Sequence, residues 1–196
     1  MNTLLNKSEN NVTPVKQISS FLVLDKTFNE SMFITKVNNI FIQLFSSIML
    51  DELDNVKHFI SDEIFNYANE IVLKNKNNGT RQMYDELNVK NSSIHSIEVN
   101  ENVYTIKVYL QSRYMDYIIS LDDGSRVSGN DDSRIQVDYM LTFEKKVDFI
   151  NQGVTRKCPG CGAPMNINES GKCSYCEAIY NQYDYDWILT KLEVLN

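Results

Sequence analysis

Cysteine is missing from this chain except between residues 158 and 176. Scattered disulfide pairing is thereby excluded, and intact thiols fit a reducing compartment. Basic charge is short as well: 19 Lys and Arg stand against 26 Asp and Glu, a formal charge of −7. Unspecific binding to nucleic acid or anionic lipid rests on neutralising phosphates, so this balance disfavours both. Long apolar runs are lacking near the start. Met1-Asn2-Thr3-Leu4-Leu5-Asn6-Lys7 turns polar at once, unlike a signal peptide, and Phe21 to Leu24 falls far short of the about 20 residues that span a bilayer. The expectation is a cytoplasmic chain. No internal repeat is visible. Hydrophobic content of 42% and charged content of 23% are ordinary for a globular protein with a real core.

What cysteine there is sits in one pattern. Cys158-Pro159-Gly160-Cys161 and Cys173-Ser174-Tyr175-Cys176 form two C-x₂-C knuckles. Thiolates two apart on a tight turn share one metal, and a second knuckle completes a closed tetrahedron. The reading is a structural zinc site with Cys158, Cys161, Cys173 and Cys176 as ligands and no open position for a substrate. Two disulfides would require an oxidising compartment. A thioredoxin-type pair would need a single C-x₂-C opening a helix. The ribbon is not basic: Arg156, Lys157 and Lys172 face Glu169, Glu177 and the negative thiolate cluster.

The chain divides into three stretches. Residues 1–24 begin Asn-rich and polar, expected to be disordered, and end in a short amphipathic helix capped at Thr13-Pro14, with Val15, Ile18, Phe21 and Leu22 on one face. Residues 25–150 form the main domain. Phe33, Val37, Ile40, Phe41, Leu44 and Ile48 mark a helix from Glu30 to Met49. Ile34, Ile42, Phe45 and Met49 widen its stripe to an apolar arc of about 200°, roughly twice what one packed face needs. A short helix is expected at Leu53, Val56 and Phe59, and a third from Asp62 to about Lys76, capped by Ser61. The period then becomes two: strands are expected near Ser92 to Val99, from Val103 to about Ile119, and through Ile135, Val137, Tyr139, Leu141 and Phe143. Leu121 to Ser133 reads as turn chemistry. Helices followed by a meander give an α+β fold, with the helices packed on one face of an antiparallel sheet. Asn151-Gln152-Gly153 links to the third stretch, 151–196, holding the zinc ribbon and a C-terminal docking segment. There Trp187 and Leu189 suit a strand, whereas Ile188, Leu192 and Leu195 suit a helix.

The wide arc of the long helix is mainly core material, and part of it is available to a pocket or interface. Phe33, Val37, Phe41, Phe45, Tyr104, Tyr114 and Tyr139 are the candidate pocket or interface residues. Two further readings compete with a binding module. One is an enzyme using Tyr114, Asp116, Asp138 or Tyr139 for acid–base chemistry, although strand alternation sends Asp138 to the solvated face. The other is nucleic-acid binding through the ribbon, which its few basic residues disfavour. His58 and His95 read as structural residues.

The residues also resemble a family. Asp25-Lys26-Thr27-Phe28-Asn29-Glu30-Ser31-Met32-Phe33-Ile34-Thr35-Lys36-Val37, with Phe41 and Leu44, is similar to the opening helix of the Tim44-like domain, named after the mitochondrial import-motor anchor. Asp54 to Phe65 is similar to its next two helices, and Tyr114-Met115-Asp116-Tyr117 with Val127-Ser128-Gly129 to its strand region. Bacterial members often end in a zinc ribbon and a Tyr-Asp-Trp segment, which Cys158 to Trp187 resembles. The resemblance implies a cone-shaped fold, like that of nuclear transport factor two, with a curved sheet enclosing an apolar pocket. It implies scaffolding near membranes, such as attaching a chaperone to a translocase or tethering a ribosome. Two departures stand out. Neither a membrane-anchoring segment nor a long chaperone-recruiting region is visible, and the acidity argues against cardiolipin binding. The expectation is a non-enzymatic binding or scaffold protein holding zinc, with a protein or an apolar small molecule as partner, cytoplasmic or peripheral to the inner face of the membrane.

Overall fold

The computed structural model describes residues 28–100, 103–146 and 187–195, together with Ile18, Phe21, Leu22, Asp25, Lys26 and Tyr175. Helix α1 spans Glu30–Leu50. The Asn29 side chain starts it by accepting from the Met32 N–H at 3.0 Å, and Asp51 ends it in a left-handed conformation at φ 58°. The expected stripe is buried: Phe33, Val37, Ile40, Phe41, Leu44, Phe45 and Ile48 all face the interior. By length and composition this helix is apolar enough to cross a membrane. Its packed face assigns it to the core instead; of the residues that widen the stripe, Phe45 is buried, Ile34 and Met49 are half-buried and Ile42 is exposed.

The short second helix is corrected. Leu53–Asn55 and Lys57–Phe59 are two separate 3₁₀ turns, which place Leu53 and Val56, three residues apart, in the core. Helix α2 follows at Asp62–Asn77, with Ser61 accepting from the Ile64 N–H at 3.3 Å and Asp62 and Glu63 at the positive end of the dipole.

Four antiparallel strands lie in chain order: β1 Thr80–Val99, β2 Val103–Ser120, β3 Arg126–Lys146 and β4 Ile188–Val194. Two boundaries differ from expectation. β1 starts at Thr80 rather than near Ser92, because register shifts at Asp85/Asn88, Val89/Asn91 and Ile94/Ser96 interrupt the period that would have revealed it. Most of the stretch read as turn, 126–133, is strand; only residues 121–125 connect β2 to β3. The turn-forming residues there make an irregularity within the ladder, where Asp116 faces Asn130 and Tyr117 faces Gly129. Gly129 has φ +84°, and an added Cβ would overlap the Asp116 carbonyl and lie 2.9 Å from Tyr117 Cβ. Gly129→Ala is therefore expected to cost about 1–3 kcal/mol in urea unfolding, well above an ordinary surface change. A loss below 0.5 kcal/mol, roughly the surface value, would contradict this geometry.

The C-terminal segment resolves as strand. β4 pairs with β3 from Glu144 opposite Ile188 to Tyr139 opposite Val194, and Leu189 is bridged to Ile60 on its other side. The strand alternative read from Trp187 and Leu189 holds; Ile188, between them, is buried as well, which is why a helical spacing fitted the segment equally. Among the described residues the result is an α+β fold, with the two long helices on one face of a four-stranded open antiparallel sheet.

At one end of the core the two ends of the chain meet. Phe21 packs edge-on against Phe28 and Tyr104, and Trp187 contacts Phe21, Phe28 and Phe33 with centroids 5.1–6.3 Å apart. Asp25 is fully buried there, with Lys145 Nζ 3.5 Å from Oδ2 and 5.7 Å from the Trp187 ring.

Candidate functional site

The seven nominated pocket residues are all buried. They do not form one group. Phe33 and Tyr104 belong to the end where the termini meet, Phe33 packing on Phe143 at 5.7 Å. Val37 lies one helical turn from each of Phe33 and Phe41. Phe41, Phe45, Tyr114 and Tyr139 gather at the opposite end of α1, with Phe45 against Phe41 at 4.5 Å and Phe41 against Tyr139 at 5.1 Å.

This second end carries chemistry. On β2 alternation puts Tyr104, Ile106, Val108, Leu110, Ser112 and Tyr114 on the inner face, and Asp116 continues that row. Tyr84 of β1 sits directly opposite Asp116 and Gln82 opposite Ile118, so both share that face. Tyr84 packs on Phe45 at 4.8 Å and stands at 89° to the Tyr114 ring at 5.6 Å. The Tyr114 and Tyr139 hydroxyls share a 2.5 Å hydrogen bond within the core. Gln82 Nε2 donates to Asp116 Oδ1 at 2.7 Å and to the Tyr117 and Met83 carbonyls at 3.1 Å, which fixes the carboxylate in place. α1 closes the group from above, where Met49 Sδ accepts from the Tyr84 N–H at 3.0 Å.

Burial governs the electrostatics. It raises the Asp116 carboxyl above its ordinary value, and the Gln82 bond offsets part of that rise. Burial, with the Asp116 charge, raises Tyr84 strongly. Tyr114 is pushed up to about 12 by burial, and Tyr139 higher still by burial and its Tyr114 neighbour. Tyr67 of α2 is raised by burial and by Glu70. All four phenols stay protonated at neutral pH.

The four residues nominated for acid–base work divide. Tyr114, Asp116 and Tyr139 share the inner face. Asp138 faces outward, accepting from Gln111 Nε2 at 3.0 Å, as alternation requires. His58 lies in the second 3₁₀ turn and His95 in β1, both half-buried. Tyr84 and Gln82 were missed because their stretch was not read as strand; the alternation of Gln82 and Tyr84 with Arg81, Met83 and Asp85 was the available signal. Cys158, Cys161, Cys173 and Cys176 lie outside the described residues.

A raised carboxyl gives a signed prediction. The folded chain holds the Asp116 proton more tightly than the unfolded chain, so its contribution is favourable below the ordinary carboxyl range and is lost as pH rises through the folded value. Asp116→Asn keeps an acceptor for Gln82 and removes the half-desolvated charge. It is expected to raise stability at pH 7 by a few tenths of a kcal/mol after solvent screening, and the gain should vanish below pH 3. Melting curves at the two pH values check it; a variant less stable at pH 7 would contradict the reading.

A family model described as the Tim44-like domain matches residues 16–154, which take in both helices and β1 to β3. A search of curated proteins finds no match to the chain. The helices on an antiparallel sheet agree with that family, and the match covers most of the sequence. The chain belongs to the Tim44-like domain family.

Proposed function

We propose that this chain is a non-enzymatic binding or scaffold protein in membrane-protein transport or assembly, with an apolar interior site and a structural zinc ribbon. The observation that carries the reading is the Tim44-like match over residues 16–154. The partner is a protein, or an apolar small molecule seated among Phe41, Phe45, Tyr114 and Tyr139. The formal charge of −7 speaks against nucleic acid. The chain works on the cytoplasmic side, peripheral to the inner face of the membrane.

Zinc fits the donor set, four thiolates in two knuckles. It also fits the strand pairing: Glu144 faces Ile188, so the segment that contains the cysteines leaves and rejoins the sheet at neighbouring positions. Cys158, Cys161, Cys173 and Cys176 would hold the ion, which supplies folding energy to the module and offers no open coordination position.

The experiment is photocrosslinking in cells from exposed positions such as Met32 and Leu50, followed by membrane fractionation. Adducts with an integral membrane protein of a translocation or assembly complex, released by alkaline carbonate, are expected. A chain recovered without membrane-protein adducts from every exposed position would overturn the assignment. A second reading, acid–base catalysis at Asp116, has one observation behind it: Asp116 shares the inner face with Tyr114 and Tyr139.

A further inference from the structure

The end of the core around Asp116 has an unbalanced charge. Gln82 occupies Oδ1, and among the described residues no hydrogen-bond donor meets Oδ2 and no Lys, Arg or His lies within ion-pair distance of Asp116. Asp116 remains half-buried rather than sealed, so the carboxylate is reachable. Around it stand aromatic rings. Tyr84 is directly across the strand pair, only 9% exposed, and its hydroxyl has no partner among the described residues. Tyr114 stands perpendicular to Tyr84 with ring centroids 5.6 Å apart.

A half-buried carboxylate without a counter-ion among the described residues keeps a negative potential that a cationic ligand can meet. Ring faces carry negative quadrupole potential, and with a carboxylate beside them they attract a positive charge. A hard metal ion gains from carboxylates and retained water and nothing from the apolar ring faces that line this end of the core. An anion would meet only negative potential. A weakly hydrated organic cation meets both attractions at once.

We propose that Asp116, with the rings of Tyr84 and Tyr114, forms a binding site for an organic ammonium group. The cation pairs with Asp116 Oδ2 and rests against the tyrosine rings, while Gln82 holds the carboxylate in orientation. The site shares Tyr114 with the apolar site above, but it rests on Asp116 and is tested separately from the scaffold role.

The test titrates the full chain at pH 7.5 and low salt with choline and with its uncharged isostere 3,3-dimethylbutan-1-ol, followed by the NMR shifts of Tyr84 and Asp116. Choline should bind about tenfold more tightly than the isostere, and Tyr84→Leu should weaken choline about three- to tenfold. Asp116→Asn should erase the preference for charge while melting no lower than the parent, which separates lost binding from misfolding. A parallel titration with n-butylammonium distinguishes a primary from a quaternary ammonium ligand. If neither cation outcompetes the neutral isostere, or if Asp116→Asn leaves the preference intact, the site is not a cation site.

Discussion

Trp187→Ala lowers the stability of the chain by about 3–5 kcal/mol, the usual cost of emptying a buried large aromatic site. Its ring touches Phe21, Phe28 and Phe33, and Lys145 lies over it. It directly precedes β4, so the loss reaches past one side chain: the pairing of Glu144 with Ile188 and the seat of Phe21 both depend on it. Chemical unfolding followed by circular dichroism gives the magnitude. Hydrogen exchange should locate the earliest loss of protection in residues 188–194. A cost under 1 kcal/mol, within the range of an ordinary substitution, would mean that the C-terminal strand adds little to the domain.

Removal of the proposed zinc should have a large but local effect. Structural zinc contributes about 10–16 kcal/mol of apparent binding energy to small modules, so a strong chelator is expected to open residues 156–180 to protease. The domain should survive. Its cooperative core, from α1 to β3, contains none of the cysteines. The remaining link is the closure of segment 147–186 between β3 and β4. Each doubling of effective loop length costs only about 0.6 kcal/mol, which is small against the burial of Trp187, Ile188 and Leu189. Fluorescence of Trp187, the only tryptophan, should therefore hardly move while the ribbon becomes cleavable. A marked red shift, or an uncut ribbon after verified zinc loss, would contradict this account.

The sequence was most legible where packing and periodicity agree. α1 follows from its apolar stripe, α2 from the Ser61 cap and the acidic first turn, and β2 from the alternation of Tyr104, Ile106, Val108 and Leu110 with polar neighbours. It was least legible where the ladder is irregular. The first half of β1 hides behind shifted register, and Ser128-Gly129-Asn130 has the composition of a turn but pairs with β2. At the candidate site, Tyr114, Asp116 and Tyr139 are legible from the strands β2 and β3, whereas Tyr84 and Gln82 need residues 81–85 read as strand and then the cross-strand register to set them beside Asp116. Their partnership with Asp116 is a tertiary fact that no local pattern encodes.

The Asp116 environment underlies both the stability prediction and the proposed cation site, and its titration in the intact chain is the most direct measurement. Side-chain carboxyl ¹³C NMR across pH 2–8, a window of roughly two units or more on either side of a normal carboxyl, should place Asp116 above the ordinary value of 3.8, with the Tyr84 ring resonances shifting in the same transition. Titration at or below 3.8 would show a carboxylate already neutralised or fully hydrated, and would contradict the account of this end of the core.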